Sequence, residues 1–242
     1  HETGFAAVLD QATVPSYKSF VDMVVFAPRC EALGPHATIM SPWFVIISGP
    51  NIRIGHSFTA IGEMHHPVQI GVWGRDFGVG RVEIGDACLM SPGARISASD
   101  EIVIGDGCMM AHGSYITDSD WHGIYDRINR DETVKPVRLG NNVWLGDRST
   151  VLKGVTIGDN SIVAASSVVT KDIPANVIVA GNPAVIVREL DEGETRYTRS
   201  DMFANPEETL AYFRALDATL LAENTTWRWL TRAIFPRSRR EQ

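Results

Sequence analysis

The sequence predicts an all-β solenoid, in which short parallel strands wind into stacked triangular coils, because it repeats with a period of six. An aliphatic residue occupies every sixth position over part of the second half: Leu139, Leu145, Val151, Ile157, Val163 and Val169. An amphipathic helix would instead space its apolar residues by three and four. A period of six fits strands with one inward-facing aliphatic side chain, and three such strands form a coil of about 18 residues.

Corner residues are the second observation that favours this fold. A tight corner needs a left-handed or strained backbone, which Gly, Asn and Asp adopt at the least cost. Such pairs follow the aliphatic positions, and we predict that they form the corners: Gly140-Asn141, Gly146-Asp147, Gly158-Asp159 and Lys171-Asp172.

Earlier coils keep the same period but with interruptions. We predict four earlier frames: Leu33-Ile39-Val45, Ile54-Ala60, Ile84-Met90-Ile96 and Ile104-Met110-Ile116. Two insertions, at about 62–81 and 117–136, interrupt the coils. Loops of this length inside a regular repeat are usually functional. The β-helical domain is therefore predicted to span 33–187.

The two ends of the chain lack the repeat. We assign 1–32 to a short helix and a first strand that cap the first coil. The C-terminal extension, 188–242, is predicted to be helical. Its first helix, 205–222, begins at Asn205-Pro206-Glu207-Glu208, where a capping residue, a proline and two acidic residues occur in the order typical of a helix start. A second short helix is predicted around Trp227–Phe235.

Composition excludes several classes of protein. With 44% hydrophobic and 21% charged residues, the chain resembles folded globular proteins rather than disordered ones. The longest apolar runs, such as 43–47, contain five residues, far fewer than the roughly 20 of a membrane span. A net charge of −7 argues against nucleic-acid binding. Three cysteines and no secretory signal in the first residues lead us to expect a cytoplasmic protein with free thiols.

Four segments resemble the hexapeptide-repeat acyltransferases, which are left-handed parallel β-helix enzymes that use acetyl-coenzyme A. They are GNNVWLG at 140–146, VLKGVTIGD at 151–159, SVVTKDIP at 167–174 and GNPA at 181–184. Within that family the sequence is most similar to O-acetyltransferases of sugars and polysaccharides, whose catalytic histidine lies in a loop after a coil. The resemblance implies a left-handed helix and a homotrimer with active sites between subunits.

The second insertion supplies the residues that transfer to an alcohol requires. A hydroxyl needs a base to remove its proton, and a neutral histidine is suited to this near pH 7. The resemblance implies that His122 is this base, and Asp118 or Asp120 would hold its other ring nitrogen. The negative oxygen of the tetrahedral intermediate needs a hydrogen-bond donor, which would be the Trp144 indole or a backbone N–H near Gly146.

Acetyl-coenzyme A is the acyl donor that the resemblance implies. Its pantetheine arm would lie between two subunits, beside the small residues Gly146, Ala164 and Ala165. Its adenine and phosphates would meet Thr170, Lys171 and Arg188, because positive side chains suit phosphate. Pro183 would close the end of this groove.

The first insertion is a candidate acceptor site. It places Trp73 close to Arg75 and Asp76, together with Glu63, His65, His66 and Phe77. Aromatic rings cover the apolar face of a sugar and charged groups bind its hydroxyls, so we predict that Trp73, Arg75 and Asp76 contact a sugar or glycan acceptor.

Three other readings remain open from the sequence. N-acetylation of an amino sugar needs the same fold and a similar base. A zinc enzyme similar to the γ-class carbonic anhydrases would need three histidines, and His65, His66, His112 and His122 are the candidates. Segment 107–110, where that family has a further histidine, reads Gly-Cys-Met-Met, so no metal is expected. The third is a non-catalytic scaffold that has kept the repeat.

The last residues, 226–242, contain five arginines and one glutamate among aromatic and aliphatic residues. A basic helix of this kind would either pack on the trimer or contact anionic lipid. The second alternative would place the enzyme at the inner face of the membrane.

Overall fold

The computed structural model of the chain describes residues 27–74, 79–128, 134–191 and 193–221. The chain divides into two compact units, residues 1–201 and 202–242. The predictions for 1–26, for the second helix and for the basic segment 226–242 fall outside the described residues.

The described residues of unit 1 form twenty strands, all of them short. They are β1 (Ala32–Leu33), β2 (Thr38–Met40), β3 (Val45–Ser48), β4 (Ile52–Ile54), β5 (Thr59–Ile61), β6 (Val68–Val72), β7 (Arg81–Ile84), β8 (Leu89–Met90), β9 (Arg95–Ala98), β10 (Glu101–Ile104), β11 (Met109–Met110), β12 (Tyr115–Thr117), β13 (Val137–Leu139), β14 (Trp144–Leu145), β15 (Thr150–Val151), β16 (Thr156–Ile157), β17 (Ile162–Val163), β18 (Val168–Val169), β19 (Val177–Gly181) and β20 (Ala184–Glu189). In the part of the chain that the structure describes, 3-10 helices cover Ala27–Arg29 and Pro42–Phe44.

These strands form three sheets, and each complete coil contributes one strand to every sheet. Sheet A has the order β1-β4-β7-β10-β13-β16, sheet B the order β2-β5-β8-β11-β14-β17-β19-β20, and sheet C the order β3-β6-β9-β12-β15-β18. All pairs are parallel except β19 with β20, which are antiparallel. This architecture confirms the predicted all-β solenoid, a left-handed parallel β-helix. We name its edges A–B, B–C and C–A after the sheets they join.

Inward-facing aliphatic side chains stack in one ladder per sheet, as the period of six predicts. The sheet A ladder runs through Leu33, Ile54, Ile84, Ile104, Leu139 and Ile157. In sheet C, the ladder position of the first coil belongs to Ile47, which pairs with Ile70, and not to the predicted Val45. The 3-10 helix Pro42–Phe44 explains this correction, because it adds two residues before β3.

The first insertion is also shorter than predicted. Strand β6 lies inside the predicted interval 62–81, and it pairs with β3 and β9 in sheet C. Val68, Ile70 and Val72 are buried there, so their alternation marks a strand that belongs to the coil. The second insertion agrees with prediction, because β12 ends at Thr117 and β13 begins at Val137.

The corners bend one residue later than the predicted pairs. Left-handed φ angles of 55°, 52° and 61° belong to Asn142, Arg148 and Asn160. The A–B edge is held by stacked amides: Asn142 Nδ2 donates to Asn160 Oδ1 at 3.1 Å, and Asn160 Nδ2 donates to Asn176 Oδ1 at 3.0 Å. The preceding Asn141 also accepts a backbone N–H from the coil below, that of Asp106.

Helix α1 covers Arg199–Met202, and α2 covers Pro206–Leu221, where the Asn-Pro-Glu-Glu motif predicted a helix. No helix among the described residues is long and apolar enough to cross a membrane. Cys88 and Cys108 are buried free thiols in adjacent coils, and their Sγ atoms donate to the Gly105 and Gly140 carbonyls, each at 3.1 Å.

Candidate active site

The three sheets enclose a triangular prism, and the second insertion leaves this prism at the C–A edge. Backbone pairing closes the base of the inserted loop. Ser119 and Val134 form an isolated antiparallel bridge, and Lys135 N donates to the Asp118 carbonyl at 2.9 Å. Residues 118–128 and 134–136 of this loop are described. The closed base fixes where the loop begins and ends.

Asp118 anchors the loop to the coil below. Its carboxylate is buried and accepts the backbone N–H groups of Ser99, Asp100 and Glu101 at 2.7, 2.7 and 2.8 Å. Burial raises the pKa of Asp118, and these three donors limit the rise because they stabilise the charged form. Both oxygens of Asp118 are therefore occupied by backbone, away from an imidazole.

Trp121 gives the loop its unusual bend. Its φ of 66° is rare for a bulky residue. Two hydrogen bonds hold it there: its N–H donates to Ser119 Oγ at 2.9 Å, and its indole Nε1 donates to Thr117 Oγ1 at 3.2 Å. Sequence reasoning missed this residue, because a tryptophan carries no propensity for a left-handed backbone.

His122 follows directly and is exposed, and its ring has a defined orientation. Nδ1 lies 2.7 Å from the Arg127 carbonyl oxygen. A carbonyl can only accept, so Nδ1 carries the hydrogen and the lone pair of the neutral ring is on Nε2. Nε2 has no hydrogen-bond partner within the described part of the chain. The ring is thus presented as a base.

The orienting partner of His122 is a backbone carbonyl rather than one of the predicted carboxylates. Asp120 Oδ2 accepts from Lys153 Nζ at 2.6 Å, across the C–A edge. Asp118 is bound to backbone as described above. Within 118–128 and 134–136, the structure therefore uses Asp118 and Asp120 to fix the loop and Arg127 to fix the imidazole.

The predicted oxyanion and pantetheine residues lie elsewhere on the prism. Trp144 points outward from sheet B with 44% of its surface exposed. The Gly146 and Ala164 amides already donate, to the carbonyls of Val163 and Val179, each at 2.8 Å. The Ala165 N–H has no partner among the described residues, and Ala165 is exposed at the B–C edge. Trp144 Nε1 and Ala165 N are thus the donors that remain for a ligand.

Thr170 and Lys171 lie at the C–A edge, one coil beyond Lys153, and both are exposed. Pro183 and Arg188 belong to the β19–β20 hairpin at the end of sheet B, and both are exposed as well. Trp144 lies on sheet B, which is opposite the C–A edge that carries Thr170 and Lys171. Within the described residues of one chain, these three residues therefore do not line a common groove for pantetheine.

Unit 1 therefore separates the predicted site residues into two groups. The C–A edge carries His122, its anchoring residues, Thr170 and Lys171. Sheet B and the B–C edge carry Trp144, Gly146, Ala164 and Ala165. One chain does not bring the predicted base and the predicted donor groove together.

Of the predicted acceptor residues, Arg75 and Asp76 fall outside the described residues. Trp73 is described and is 54% exposed. A Cβ at Gly71 would come within 2.4 Å of the Trp73 Nε1 atom, so the indole lies directly over the Gly71 backbone on the outer face of sheet C. A side chain at position 71 would therefore displace the Trp73 indole.

Of the histidines considered for a zinc site, His66 and His112 lie next to each other. The rings of His66 and His112 meet edge to face with their centroids 4.7 Å apart, and His66 Nδ1 lies 3.4 Å from a Glu63 carboxylate oxygen. Across the described residues, no group of three or more His, Cys, Asp and Glu side chains is placed to hold a metal ion.

A surface cavity of about 410 Å³ lies on the outer face of sheet A. Its charged lining is internally paired: Glu31 binds Arg53, and Glu101 binds both Arg81 and Arg138. Because both arginines of the lining are paired with glutamates of neighbouring coils, we assign the cavity to ion pairing between coils rather than to the site.

Comparisons with known proteins match the repeat. Residues 136–171 match the family described as bacterial transferase hexapeptide (six repeats). The galactoside O-acetyltransferase of Escherichia coli strain K12 is 45% identical over 75 residues, which cover 31% of this chain and 37% of that protein. The chain thus spans little more than a third of that relative's length.

Two solved structures are also similar. A hexapeptide-repeat-containing acetyltransferase from Vibrio cholerae O1 biovar eltor, complexed with acetyl coenzyme A, is 23% identical with a TM-score of 0.48 and covers 79% of this chain and 94% of its own. A galactoside acetyltransferase in complex with coenzyme A is 26% identical with a TM-score of 0.47 and covers 78% and 79%. The period of six and the three stacked sheets agree with the match at 136–171, so this part of the chain is similar to the bacterial transferase hexapeptide family.

Proposed function

We propose that this chain is an acetyl-coenzyme A-dependent O-acetyltransferase that acts on a hydroxyl group of a sugar or polysaccharide. The observation that carries the proposal is the His122 ring, whose Nδ1–H is held by the Arg127 carbonyl at 2.7 Å while Nε2 is left to accept a proton. The similarity to a galactoside O-acetyltransferase over 75 residues supports this activity and this acceptor class.

The chemistry follows from the tautomer. His122 Nε2 accepts the proton of the acceptor hydroxyl as its oxygen attacks the thioester carbonyl carbon. The resulting imidazolium is stabilised by the Arg127 carbonyl at Nδ1. The carbonyl oxygen becomes negative, and the Trp144 indole N–H is the donor that we assign to it, because the Gly146 amide is already used between coils. The thiol then leaves with the proton that His122 holds.

The donor thioester fits residues at the B–C edge. A pantetheine arm carries amide groups, and the free N–H of Ala165 offers a backbone hydrogen bond with little steric hindrance from its methyl side chain. Arg188, in the hairpin at the end of sheet B, is exposed and would meet the phosphates by charge, and Lys171 would meet them from the C–A edge of a neighbouring copy.

A second copy of the chain completes the site in this proposal. His122 and Trp144 lie on opposite sides of one prism, so the loop of one protomer must meet sheet B or the B–C edge of its neighbour. The loop tip suits such a contact, because Ile124, Tyr125 and Ile128 are 77%, 100% and 95% exposed. A contact between different edges of identical chains forms a closed ring when the rotation between neighbours closes, and we propose a homotrimer, in which that rotation is one third of a turn.

The test measures thiol release from acetyl-coenzyme A in the presence of a panel of neutral sugars, acidic sugars and amino sugars. We expect transfer to a hydroxyl, and a loss of about 10²–10⁴ in kcat for His122→Ala. The matched control is His36→Asn, which changes an exposed histidine at another corner, and we expect it to keep full activity. Equal rates for His122→Ala and the native chain would refute the role of His122, and exclusive acetylation of amino groups would replace O-transfer by N-transfer.

A further inference from the structure

Aromatic and arginine side chains gather on the outer face of sheet C, next to His122. The backbone beneath them is a column of small residues in neighbouring strands, because Ser48, Gly71, Ser97 and Thr117 are paired in register. We call the side chains above this column the aromatic strip: Trp73, Arg95, Tyr115 and Trp121.

Each member of the strip lies against the column or against a neighbour in the strip. The Trp73 indole lies over Gly71, where any Cβ would collide with it. The Arg95 guanidinium lies 5.1 Å from the centroid of the Tyr115 ring, and its Nε donates to Ser97 Oγ at 3.0 Å. Trp121 donates to Thr117 Oγ1. The strip is therefore a preorganised surface, which lowers the entropic cost of binding.

The chemistry of the strip matches a carbohydrate. An exposed indole can cover the apolar face of a sugar ring, and a guanidinium offers several donors in one plane to neighbouring oxygens. Among the described residues, no carboxylate pairs with Arg95, so its terminal nitrogens are available. Trp121 directly precedes His122, so a ligand on the strip lies beside the base.

The length of the strip points to more than one sugar ring. Trp73, Arg95 and Tyr115 belong to three successive strands or follow them, and strands lie ~4.8 Å apart, so the strip extends about 10 Å along the prism. We propose that the acceptor is a glycan of at least two sugar rings, with the ring to be acetylated at His122 and the next rings on Trp73 and Arg95. This rests on the proposed acetyltransferase function.

The experiment compares acceptors of one, two and four rings, built from whichever sugar of the panel reacts fastest. We expect kcat/KM to rise with length for the native chain. In Trp73→Ala it should fall about tenfold for the four-ring acceptor and less than about twofold for the single ring. Trp73→Tyr, which keeps an aromatic face, should restore most of the preference. Trp43→Ala removes another exposed indole, 64% exposed and outside the strip, and should change neither rate.

A binding measurement separates this inference from the proposed function. Calorimetry with the His122→Ala protein and tetrasaccharides of galactose and of glucose requires no acetyl transfer. At least one of them should bind, and Trp73→Ala in the same background should weaken that Kd about tenfold. The inference is overturned if neither binds, if Trp73→Ala leaves the Kd unchanged, or if this variant lowers the rates for all acceptor lengths equally. Absence of acetyl transfer alone would refute the enzymatic proposal only.

Discussion

Individual residues around the second insertion divide the work between anchoring and chemistry. Asp118 was expected beside the imidazole because carboxylates commonly orient catalytic histidines, yet its oxygens bind three backbone amides of the coil below. The imidazole is held instead by the Arg127 carbonyl. A backbone carbonyl leaves no mark in a sequence, so this partner could be found only from the structure.

Replacing Asp118 should destabilise the fold. Asp118→Ala leaves the backbone N–H groups of Ser99, Asp100 and Glu101 without their acceptor, and we expect the free energy of unfolding to fall by about 2 kcal/mol. Urea denaturation at fixed protein concentration measures this, with Asp126→Ala as the control for a loop carboxylate that is exposed. A change equal to that of the control would contradict an anchoring role.

The same carboxylate should make stability depend on pH. Because its pKa is raised in the folded state, the folded chain binds more protons than the unfolded chain between the ordinary and the raised value. Its contribution to stability is therefore largest at low pH and declines as pH rises through that interval. The stability advantage of the native chain over Asp118→Asn should shrink in the same direction.

Strands could be predicted from the sequence where they follow the period of six, and could not where the chain departs from that period. The ladders through Leu139, Leu145 and Val151 follow from the period, because each inward position meets the same kind of neighbour in the next coil. Strand β6 was missed because a loop on each side, 62–67 and 73–80, separates it from the regular positions of β5 and β7. The left-handed Trp121 was missed because tertiary hydrogen bonds, rather than propensity, hold its backbone.

The stacked amides at the A–B edge predict how substitutions of Asn160 change the stability of the coils. Asn160 both donates and accepts in this stack and has a φ of 61°. Asn160→Gly keeps the left-handed backbone and loses two hydrogen bonds, so we expect a loss of about 1–2 kcal/mol. Asn160→Ala should cost a further ~1–2 kcal/mol for the backbone.

Thermal and urea unfolding measure both variants of Asn160. Ser166→Asn is the matched control, because Ser166 has a left-handed φ of 57° at the B–C edge, and its change should stay within about 0.5 kcal/mol. Equal stability of the glycine variant and the native chain would mean that the stacked amides contribute nothing.

If the proposed site is correct, the complete active site needs residues from more than one chain. The reason is the position of the site residues on the triangular prism. The order of sheets places Trp144 opposite the edge that carries His122. The sequence predicted both residues, but only the assignment of each residue to a sheet or an edge reveals that they are separated. The trimer implied by the resemblance thereby acquires a physical reason in this chain.

Mixing two inactive variants tests this arrangement. His122→Ala lacks the base, and Ala165→Trp blocks the B–C edge, so each should be inactive alone. After subunit exchange in an equal mixture, roughly a quarter of the sites combine an intact loop with an intact edge, and activity should reappear to that extent. A mixture of His122→Ala and His122→Gln should recover nothing. A fully active monomer in light scattering, or no recovery in the first mixture, would contradict a shared site.

The loops after β6 and after β12 both leave the coils at the C–A edge, while Ala164 and Ala165 at the B–C edge belong to an uninterrupted coil. If the proposed function is correct, changes in either loop would alter which glycan is accepted without altering Ala164 and Ala165. Under this proposal, substitutions in the loops of the C–A edge would change the acceptor specificity, while the residues of the B–C edge stayed the same.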